Sequence, residues 1–199
     1  MRVVGLLGYA GVGKDTAADI ICGRVRNSRR GAFADSLREE VASAFCLSKS
    51  ELTDRATKET KTDRLAFERC QDVKFKAFVA SRGYDLSEPR SPREASQTWG
   101  DYRRSDDPLY FVEKLRSKIL LSSMDTQVFV VTDVRYMNEL KMVKKFKNHT
   151  VVWVSRPGVG PVNSHSSDNS LRQSDTNVLL SNAGSLDALS ENIAALLGL

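Results

Sequence analysis

The chain has 199 residues, a length that favours one domain with room at most for an inserted lid. It is 41% hydrophobic and 28% charged, as is usual for globular proteins, and its formal net charge of +5 suggests anionic partners such as nucleotides. No apolar run approaches the length of a membrane span, and the three cysteines form neither a disulfide framework nor a metal motif. These features exclude membrane-spanning and disulfide-rich secreted classes, and we expect a cytoplasmic protein with no membrane partner.

The first predicted elements are a strand, a loop and a helix. The apolar run from Val3 to Leu7 is followed by a glycine-rich loop, Gly8–Thr16, and by an amphipathic segment from Thr16 to Val25. Glycines let successive backbone N–H groups turn toward one anion, and the start of the helix adds the positive end of its dipole. Lys14 supplies a charge for the outer phosphates of a nucleotide. This order is typical of a phosphate-binding P-loop. The ATP-binding residues that it predicts are Gly11, Val12, Gly13, Lys14, Asp15 and Thr16.

One position departs from the ordinary P-loop pattern. A Ser or Thr is expected after the lysine as a neutral ligand for Mg²⁺, but Asp15 stands there and Thr16 follows one place late. A carboxylate adds negative charge near the triphosphate, which is tolerable if the metal ion or its water lies between them or if an arginine compensates. We therefore predict that Asp15 is a metal ligand and that Thr16 contacts an inner phosphate.

Strands and helices alternate along the rest of the chain. Short apolar runs predict further buried strands at Gly31–Ala34, Val128–Val131, Val151–Val154 and Val178–Leu180. Helical patterns are predicted at Ser36–Phe45, Asp63–Arg82, Pro92–Gly100, Pro108–Leu121, Met137–Lys145 and Leu186–Leu197. The alternation indicates an α/β fold of three layers, with a mainly parallel five-stranded sheet between helices. The region from about 48 to 121 has no convincing strand, and we predict a helical substrate-binding or lid region within a single domain, 1–199.

An acidic residue ends one of the predicted strands. The run Val128–Val131 continues into Thr132 and Asp133. In P-loop proteins an acid at this place lies beside the phosphate loop and binds Mg²⁺ directly or through water. Asp133 and Asp15 are therefore the predicted metal ligands.

Arginines recur at the predicted ends of strands and helices. Arg135 follows the acid-ended strand and is expected at the carboxyl edge of the sheet, where ligands bind in such folds. Arg156 ends a later strand, and Arg103 and Arg104 precede a predicted helix. The planar guanidinium group of arginine stabilises the charge that develops on a phosphoryl group during transfer. The arginines therefore favour a kinase over a simple nucleotide-binding module.

Taken together, the motifs resemble those of the deoxynucleoside monophosphate kinases of bacteriophages, a family of P-loop kinases. The resemblance follows the family's order from about Val3 to Leu197, and it accounts for Asp15 because GKDT is that family's own form of the loop. The middle region is short for the family, and Asp168 replaces the glutamate of its His-x-Ser-Glu motif. The matching segments are Gly13–Thr16 (GKDT), Phe33–Arg38, Gln97–Gly100 (QTWG), Arg103 and Arg104, Tyr110–Val112, Asp133–Glu139 (DVRYMNE), Val154–Gly158, His165–Asp168 and Ser181–Leu186.

The resemblance implies transfer of the γ-phosphate of ATP to a deoxynucleoside monophosphate, giving the diphosphate. It implies that Lys14 and the amides of the glycine-rich loop bind the phosphates of ATP, and that Arg156 and Asn182 lie near the adenine. The catalytic candidates are Lys14, Arg104 and Arg135, and no strong base is needed because the acceptor phosphate is already an anionic nucleophile. The implied acceptor-binding residues are Asp35, Arg38, Gln97, Trp99, Arg103 and Arg135, with Trp99 either stacking on the base or packing near it.

Other functions stay open from the sequence alone. A kinase of the same fold acting on 5-hydroxymethyluracil bases in phage DNA fits the basic charge and the short middle region, and it would need a base such as Asp35. A non-enzymatic P-loop switch would bind phosphate but lack an acceptor pocket, and the clustered Gln97–Arg104 together with Arg135 argue against this function. A dephospho-cofactor kinase has a serine or threonine after its lysine, unlike this chain. The sequence also leaves open the base accepted, the role of His165, and whether the protein is a monomer or a homodimer.

Overall fold

The computed structural model describes residues 1–54, 56–160 and 171–198 of the chain. Its strands are β1 (Arg2–Leu7), β2 (Ser28–Gly31), β3 (Val128–Val131), β4 (His149–Ser155) and β5 (Val178–Ser181). Its α-helices are α1 (Lys14–Arg24), α2 (Phe33–Ala44), α3 (Lys49–Thr53), α4 (Val73–Ser81), α5 (Pro92–Asp106), α6 (Tyr110–Leu121), α7 (Met137–Lys144) and α8 (Leu186–Leu197). Short 3₁₀ turns lie at Asp63–Leu65, Phe67–Arg69 and Gln173–Asp175. Within these described ranges, every helix is too short or too polar to cross a membrane.

The chain divides into two compact units, which are described separately below. The sheet unit comprises Met1–Phe33 and Val112–Leu199, and the helical unit comprises Ala34–Phe111. The helical unit overlaps most of the region, about 48 to 121, for which the sequence predicts helices and loops without a strand.

The sheet unit contains one five-stranded sheet in the order β2-β3-β1-β4-β5. Each neighbouring pair is parallel, which confirms the predicted mainly parallel sheet. The two central neighbours β1 and β3 run in register, with Gly5 opposite Val131. Because parallel strands end at the same edge of a sheet, the loop after β1 and the residues after β3 emerge side by side.

Helices cover both faces of this sheet, as the predicted three-layer fold requires. Side chains alternate along β1, so that Val3 and Leu7 pack with α6 and α7, whereas Val4 and Leu6 pack with α1 and α8. Gly5 faces α7 at close range, because a Cβ atom at that position would lie 3.1 Å from Cγ1 of Val143. Burial of both faces explains why the strands read as apolar runs rather than as alternating sequences.

The helical unit has its own apolar core, built largely from aromatic rings. Phe75 of α4 lies at its centre, with ring centroids 5.3 Å from Phe67, 4.9 Å from Trp99 of α5 and 6.2 Å from Phe45. The Phe67 and Phe75 rings meet edge to face at 90°, a geometry worth about 0.5–1.5 kcal/mol beyond the burial of area. This core holds α5, which carries several of the predicted acceptor residues, against α4.

The predicted strand at Gly31–Ala34 is wrong by three residues. The strand is β2, Ser28–Gly31, and helix α2 begins at Phe33. The strand is hard to recognise because it lies at the edge of the sheet and exposes its two arginines, Arg29 and Arg30. The apolar residues that follow it are instead the buried start of a helix.

The predicted helix at Asp63–Arg82 is also wrong, because the segment is divided. Two 3₁₀ turns occupy its first part, and α4 begins only at Val73. The side chain of Thr62 accepts the N–H of Arg64 at 3.3 Å, and Asp72 accepts the N–H of Phe75 at 3.0 Å. Each of these side chains caps the start of a separate helical segment. The apolar residues therefore fill one core although they do not belong to one helix.

Helix α5 is longer than predicted, and helix α3 was not predicted. Helix α5 runs through Gly100 to Asp106, six residues beyond the predicted end, and α3 is an additional short helix. The start of α3 is fixed by a capping box in which Ser48 and Glu51 bond each other's backbone N–H groups. His165 and Asp168, which belong to one of the segments that resemble the family, lie outside the described residues.

Candidate active site

The glycine-rich loop joins β1 to α1 in a conformation that only glycine adopts without strain. Gly8, Gly11 and Gly13 have φ angles of 131°, 83° and 99°. All lie in the region from which a Cβ atom normally excludes other residues. Gly13 is the N-cap of α1, so the loop leads directly into the helix and its backbone donors. The loop therefore has the local geometry that the sequence predicts for an anion site.

Two of these glycines are also needed for close packing. A Cβ atom on Gly8 would overlap the carbonyl oxygen of Val154 in β4, and one on Gly13 would overlap the side-chain amide of Asn182. That amide donates its Nδ2 hydrogen to the carbonyl oxygen of Val12 at 2.8 Å. Asn182, which follows β5, thus holds the glycine-rich loop from one side. The prediction that it lies near the adenine stays a prediction, but its contacts here are with the loop.

Lys14 lies at the start of α1 with its ammonium group turned back over the loop. Its Nζ donates to the carbonyl oxygens of Gly8 and Tyr9, each at 2.8 Å. The side chain is half-buried, so its positive charge stays at the loop rather than extending into solvent. Asp15 is exposed and Thr16 half-buried in the same first turn. The first turn of α1 therefore brings one cation and one carboxylate to the loop.

Asp133 stands directly after β3 and bonds the start of another element. One of its carboxylate oxygens, Oδ1, accepts the backbone N–H of Phe33 at 2.7 Å, at the first residue of α2. The next residue, Val134, donates its N–H to the carbonyl oxygen of Leu6 at 3.3 Å. These bonds place the Asp133 carboxylate at the carboxyl edge of the sheet, one strand away from the glycine-rich loop.

Arg135 is close to the same loop, and its backbone is fixed by a buried acid. It lines a small pocket together with Gly8 and Tyr9. Glu139, only 6% exposed, accepts the backbone N–H groups of Arg135 and Tyr136 at 2.7 Å and 3.0 Å through Oε2. Glu139 was not among the predicted site residues, although the spacing from Tyr136 to Glu139 is that of a capping box. The structure therefore adds a residue that sets the backbone of Arg135.

The predicted metal site comprises the carboxylates of Asp15 and Asp133. Among the described residues, no three His, Cys, Asp or Glu side chains are grouped so as to hold a metal ion. Mg²⁺ at a nucleotide commonly needs no such group, because one or two carboxylates suffice when phosphates and water complete its shell. Asp133 at the sheet edge and Asp15 in the first turn of α1 are carboxylates of this kind, so the residues fit the ion.

Arg156 is exposed in the turn after β4.

In the helical unit, one face of α5 carries a predicted acceptor residue and a predicted catalytic one. Gln97, Asp101 and Arg104 follow one another at helical spacing. Arg104 donates through Nη2 to Asp101 at 3.1 Å, and its guanidinium lies against Gly100, where a Cβ atom would come within 3.1 Å of Cζ. Gly100 thus makes room for the arginine in the middle of a helix.

Another side of α5 is joined to α2 by a carboxylate. Trp99 is 2% exposed and packs against Phe75, and its Nε1 donates to Glu40 of α2 at 3.0 Å. Arg103 donates through Nε to the same oxygen of Glu40 at 2.8 Å. The ring of Trp99 is therefore committed to the core of the helical unit, which favours packing over stacking on a base. No sequence pattern pointed to Glu40, because its partners lie about 60 residues further on.

The remaining predicted acceptor residues lie in the first turns of α2. Arg38 is 3.7 Å from Asp35 through Nη1, one turn apart on the helix. Both side chains are about a third exposed, at 36% and 37%. Such a pair contributes little to stability. Because both side chains are partly exposed, an acceptor can reach them.

Comparison with known proteins bears on the second half of the chain. Residues 97–193, from α5 into α8, match the family model described as deoxynucleotide monophosphate kinase. The chain is thus a nucleotide kinase with an α/β fold. The match supports the family predicted from the motifs, that of the deoxynucleoside monophosphate kinases, and it includes Arg103, Arg104 and Arg135 but not the glycine-rich loop.

The chain is similar to a solved structure described as the crystal structure of TT1252 from Thermus thermophilus, with 14% sequence identity and a TM-score of 0.48. That similarity covers 99% of this chain and 96% of the other. No curated protein matches the chain.

Substitution by alanine is expected to destabilise the protein more at Gly13 than at Gly11. Gly13→Ala should lower the free energy of unfolding by about 2–4 kcal/mol, because strain at positive φ adds to displacement of the Asn182 amide. Gly11→Ala should cost only about 1–2 kcal/mol, since a Cβ atom there meets nothing within 4 Å. Denaturant unfolding measures the free energy of unfolding of both variants. Equal losses would contradict the close packing of Gly13 on Asn182.

Proposed function

We propose that this kinase transfers the γ-phosphate of ATP to a deoxynucleoside 5′-monophosphate, giving the diphosphate and ADP. An oxygen of the acceptor phosphate attacks the γ-phosphorus, and the bond from that phosphorus to the β,γ-bridging oxygen breaks. The observation that carries the proposal is the glycine-rich loop, with the ammonium group of Lys14 folded onto it and Arg135 lining the adjacent pocket. Positioning and charge stabilisation are the main requirements of such a transfer.

In this proposal the donor is bound by the sheet unit. The loop amides and Lys14 bind the β- and γ-phosphates, and the exposed Arg156 is available to the adenosine part of ATP. Mg²⁺ would be held by Asp133 and Asp15, and when bound it neutralises phosphate charge. Asn182 keeps the loop in its binding conformation. The proposed ATP-binding residues are Gly11, Val12, Gly13, Lys14, Asp15, Thr16 and Arg156.

The acceptor is bound mainly by residues of the helical unit. Arg38, Gln97 and Arg103 offer polar groups to the monophosphate, and Asp35 offers a carboxylate to a sugar hydroxyl or a base amino group. Arg135 and Arg104 stabilise the charge on the migrating phosphoryl group. Use of ATP as the donor also supports a cytoplasmic location, that of the host if the protein is encoded by a phage.

One assay separates the proposed acceptor from its rival. The protein is incubated with Mg²⁺ and γ-labelled ATP, together with each deoxynucleoside monophosphate, each ribonucleoside monophosphate or DNA that contains 5-hydroxymethyluracil. Labelled deoxynucleoside diphosphate is the expected product. Label in DNA but in no monophosphate would overturn the proposal in favour of a DNA-base kinase, and label only in ribonucleotides would overturn the choice of sugar.

A further inference from the structure

Glu40 joins three helix segments of the helical unit through one carboxylate. Its Oε2 accepts hydrogen bonds from Nε1 of Trp99 at 3.0 Å and from Nε of Arg103 at 2.8 Å. Its Oε1 accepts the hydroxyl hydrogen of Tyr110 at 2.6 Å. The Glu40 side chain is only 16% exposed. Nothing in its sequence context marks this residue, yet α2, α5 and the start of α6 all meet at it.

The guanidinium of Arg103 lies among three aromatic rings as well as beside Glu40. Its Cζ lies 5.2 Å from the ring centre of Trp99 and 5.1 Å from those of Tyr102 and Tyr110. Burial would lower the pKa of Arg103, but the Glu40 carboxylate outweighs it, so that the pKa is raised above its ordinary value. The group therefore stays charged, and it lies within cation–π distance of three aromatic rings.

The geometry of the Glu40–Arg103 ion pair indicates that it does more than stabilise the fold. Arginine–carboxylate pairs are frequently bidentate, with two parallel N–H···O bonds. Here the bond runs through Nε, at the side of the guanidinium. The outer N–H bonds of the terminal nitrogens, Nη1 and Nη2, point away from that bond by the planar geometry of the group, and the Arg103 side chain remains 28% exposed. A buried pair also costs desolvation, which an apolar pair would avoid.

We propose that Glu40 is a positioning residue, which orients Arg103 so that its terminal fork binds the phosphate of the acceptor monophosphate. The inference rests on the proposed function, since it assigns the phosphate contact of the same acceptor site. It also gives Trp99 and Tyr110 a role, because each fills another hydrogen-bonding position of the carboxylate. With these positions filled, Glu40 cannot rotate away from Arg103 without breaking two other bonds.

The test compares two neighbouring glutamates of α2. Glu40→Gln keeps the size of the side chain but removes the charge that holds Arg103. The variant should raise KM for the deoxynucleoside monophosphate about tenfold, with KM for ATP unchanged within about twofold. Glu39→Gln is the matched control, because Glu39 is exposed and pairs with Lys49. It should leave both KM values and the melting temperature unchanged.

A second arm asks whether Glu40 acts through Arg103. In an Arg103→Met background, Glu40→Gln should add no further loss of acceptor affinity, since the group that it positions is gone. A merely structural role would make the two losses additive or raise both KM values together, and either result overturns the proposal. If Glu40→Gln fails to fold, Glu40→Asp keeps the charge with a shorter reach, and it should raise only the acceptor KM by a few-fold.

The outcomes separate this inference from the function on which it rests. If the wild-type protein forms deoxynucleoside diphosphate and Glu40→Gln does so with an unchanged acceptor KM, only the positioning role is overturned. If the wild-type protein phosphorylates no deoxynucleoside monophosphate, the proposed function is overturned and the role of Glu40 with it.

Discussion

Replacement of Lys14 by alanine is expected to lower kcat/KM for phosphoryl transfer by a factor on the order of 10³, while the fold is retained. The ammonium group of Lys14 lies 2.8 Å from the carbonyl oxygens of Gly8 and Tyr9, within the loop that we propose to bind the β- and γ-phosphates. Negative charge spreads over the phosphoryl oxygens in the transition state, and loss of one preorganised donor costs about 3–4 kcal/mol there. The fold should persist because the hydrogen bonds from Lys14 to Gly8 and Tyr9 lie within the loop itself.

Lys141→Ala is the matched control for this variant. Lys141 is exposed on α7, in the same unit and with the same charge, and its removal should leave activity within about twofold of the wild type. Circular dichroism and thermal unfolding establish that each variant is folded before steady-state rates are compared. Wild-type activity in Lys14→Ala would remove the glycine-rich loop from the donor site.

The loop could be predicted from sequence because its causes are local. A strand of apolar residues, glycines where φ must be positive and a lysine at the start of a helix all lie within residues 3–25. The same holds for β3 and α8, whose observed bounds are the predicted ones. Strands buried on both faces are apolar throughout, and that pattern is visible in a single chain.

Other parts of the site depend on contacts that join distant residues. The bond from Asn182 to Val12 spans 170 residues, and that from Trp99 to Glu40 spans 59. No local pattern encodes such a pair, because each partner has the spacing of an ordinary loop or helix residue. Trp99 therefore invited a base-stacking interpretation, although its ring fills the core of the helical unit.

The division of the predicted helix at Asp63–Arg82 has a related cause. Leu65, Phe67, Phe75 and Val79 all belong to one buried cluster, so their spacing imitates an apolar helix face. Periodicity reports that residues are buried together, but it does not report whether one continuous helix carries them. The capping side chains of Thr62 and Asp72 mark the division of the segment, because each accepts a backbone N–H at the start of a separate helical segment.

Asp133→Asn is expected to lower kcat about 10²-fold and to raise the Mg²⁺ concentration for half-maximal rate about tenfold, with little change in stability. The substitution keeps an oxygen that accepts the N–H of Phe33, a bond of 2.7 Å in the structure. It removes the negative charge that we propose for holding the ion. A carboxylate binds Mg²⁺ far better than an amide oxygen does, so the loss should appear in metal dependence first.

Asp133→Ala and Asp125→Asn complete the comparison. Asp133→Ala loses both the charge and the bond to Phe33, so it should match the asparagine variant in activity and unfold about 1–3 kcal/mol more easily. Asp125 is an exposed partner of Arg29 in the same unit, and Asp125→Asn should behave as the wild type. Steady-state rates measured as a function of Mg²⁺ concentration distinguish metal binding by Asp133 from capping of α2. If Asp133→Asn has the wild-type Mg²⁺ dependence while Asp133→Ala is unstable, Asp133 only caps the start of α2, and the ion must be held by Asp15 and the phosphates alone.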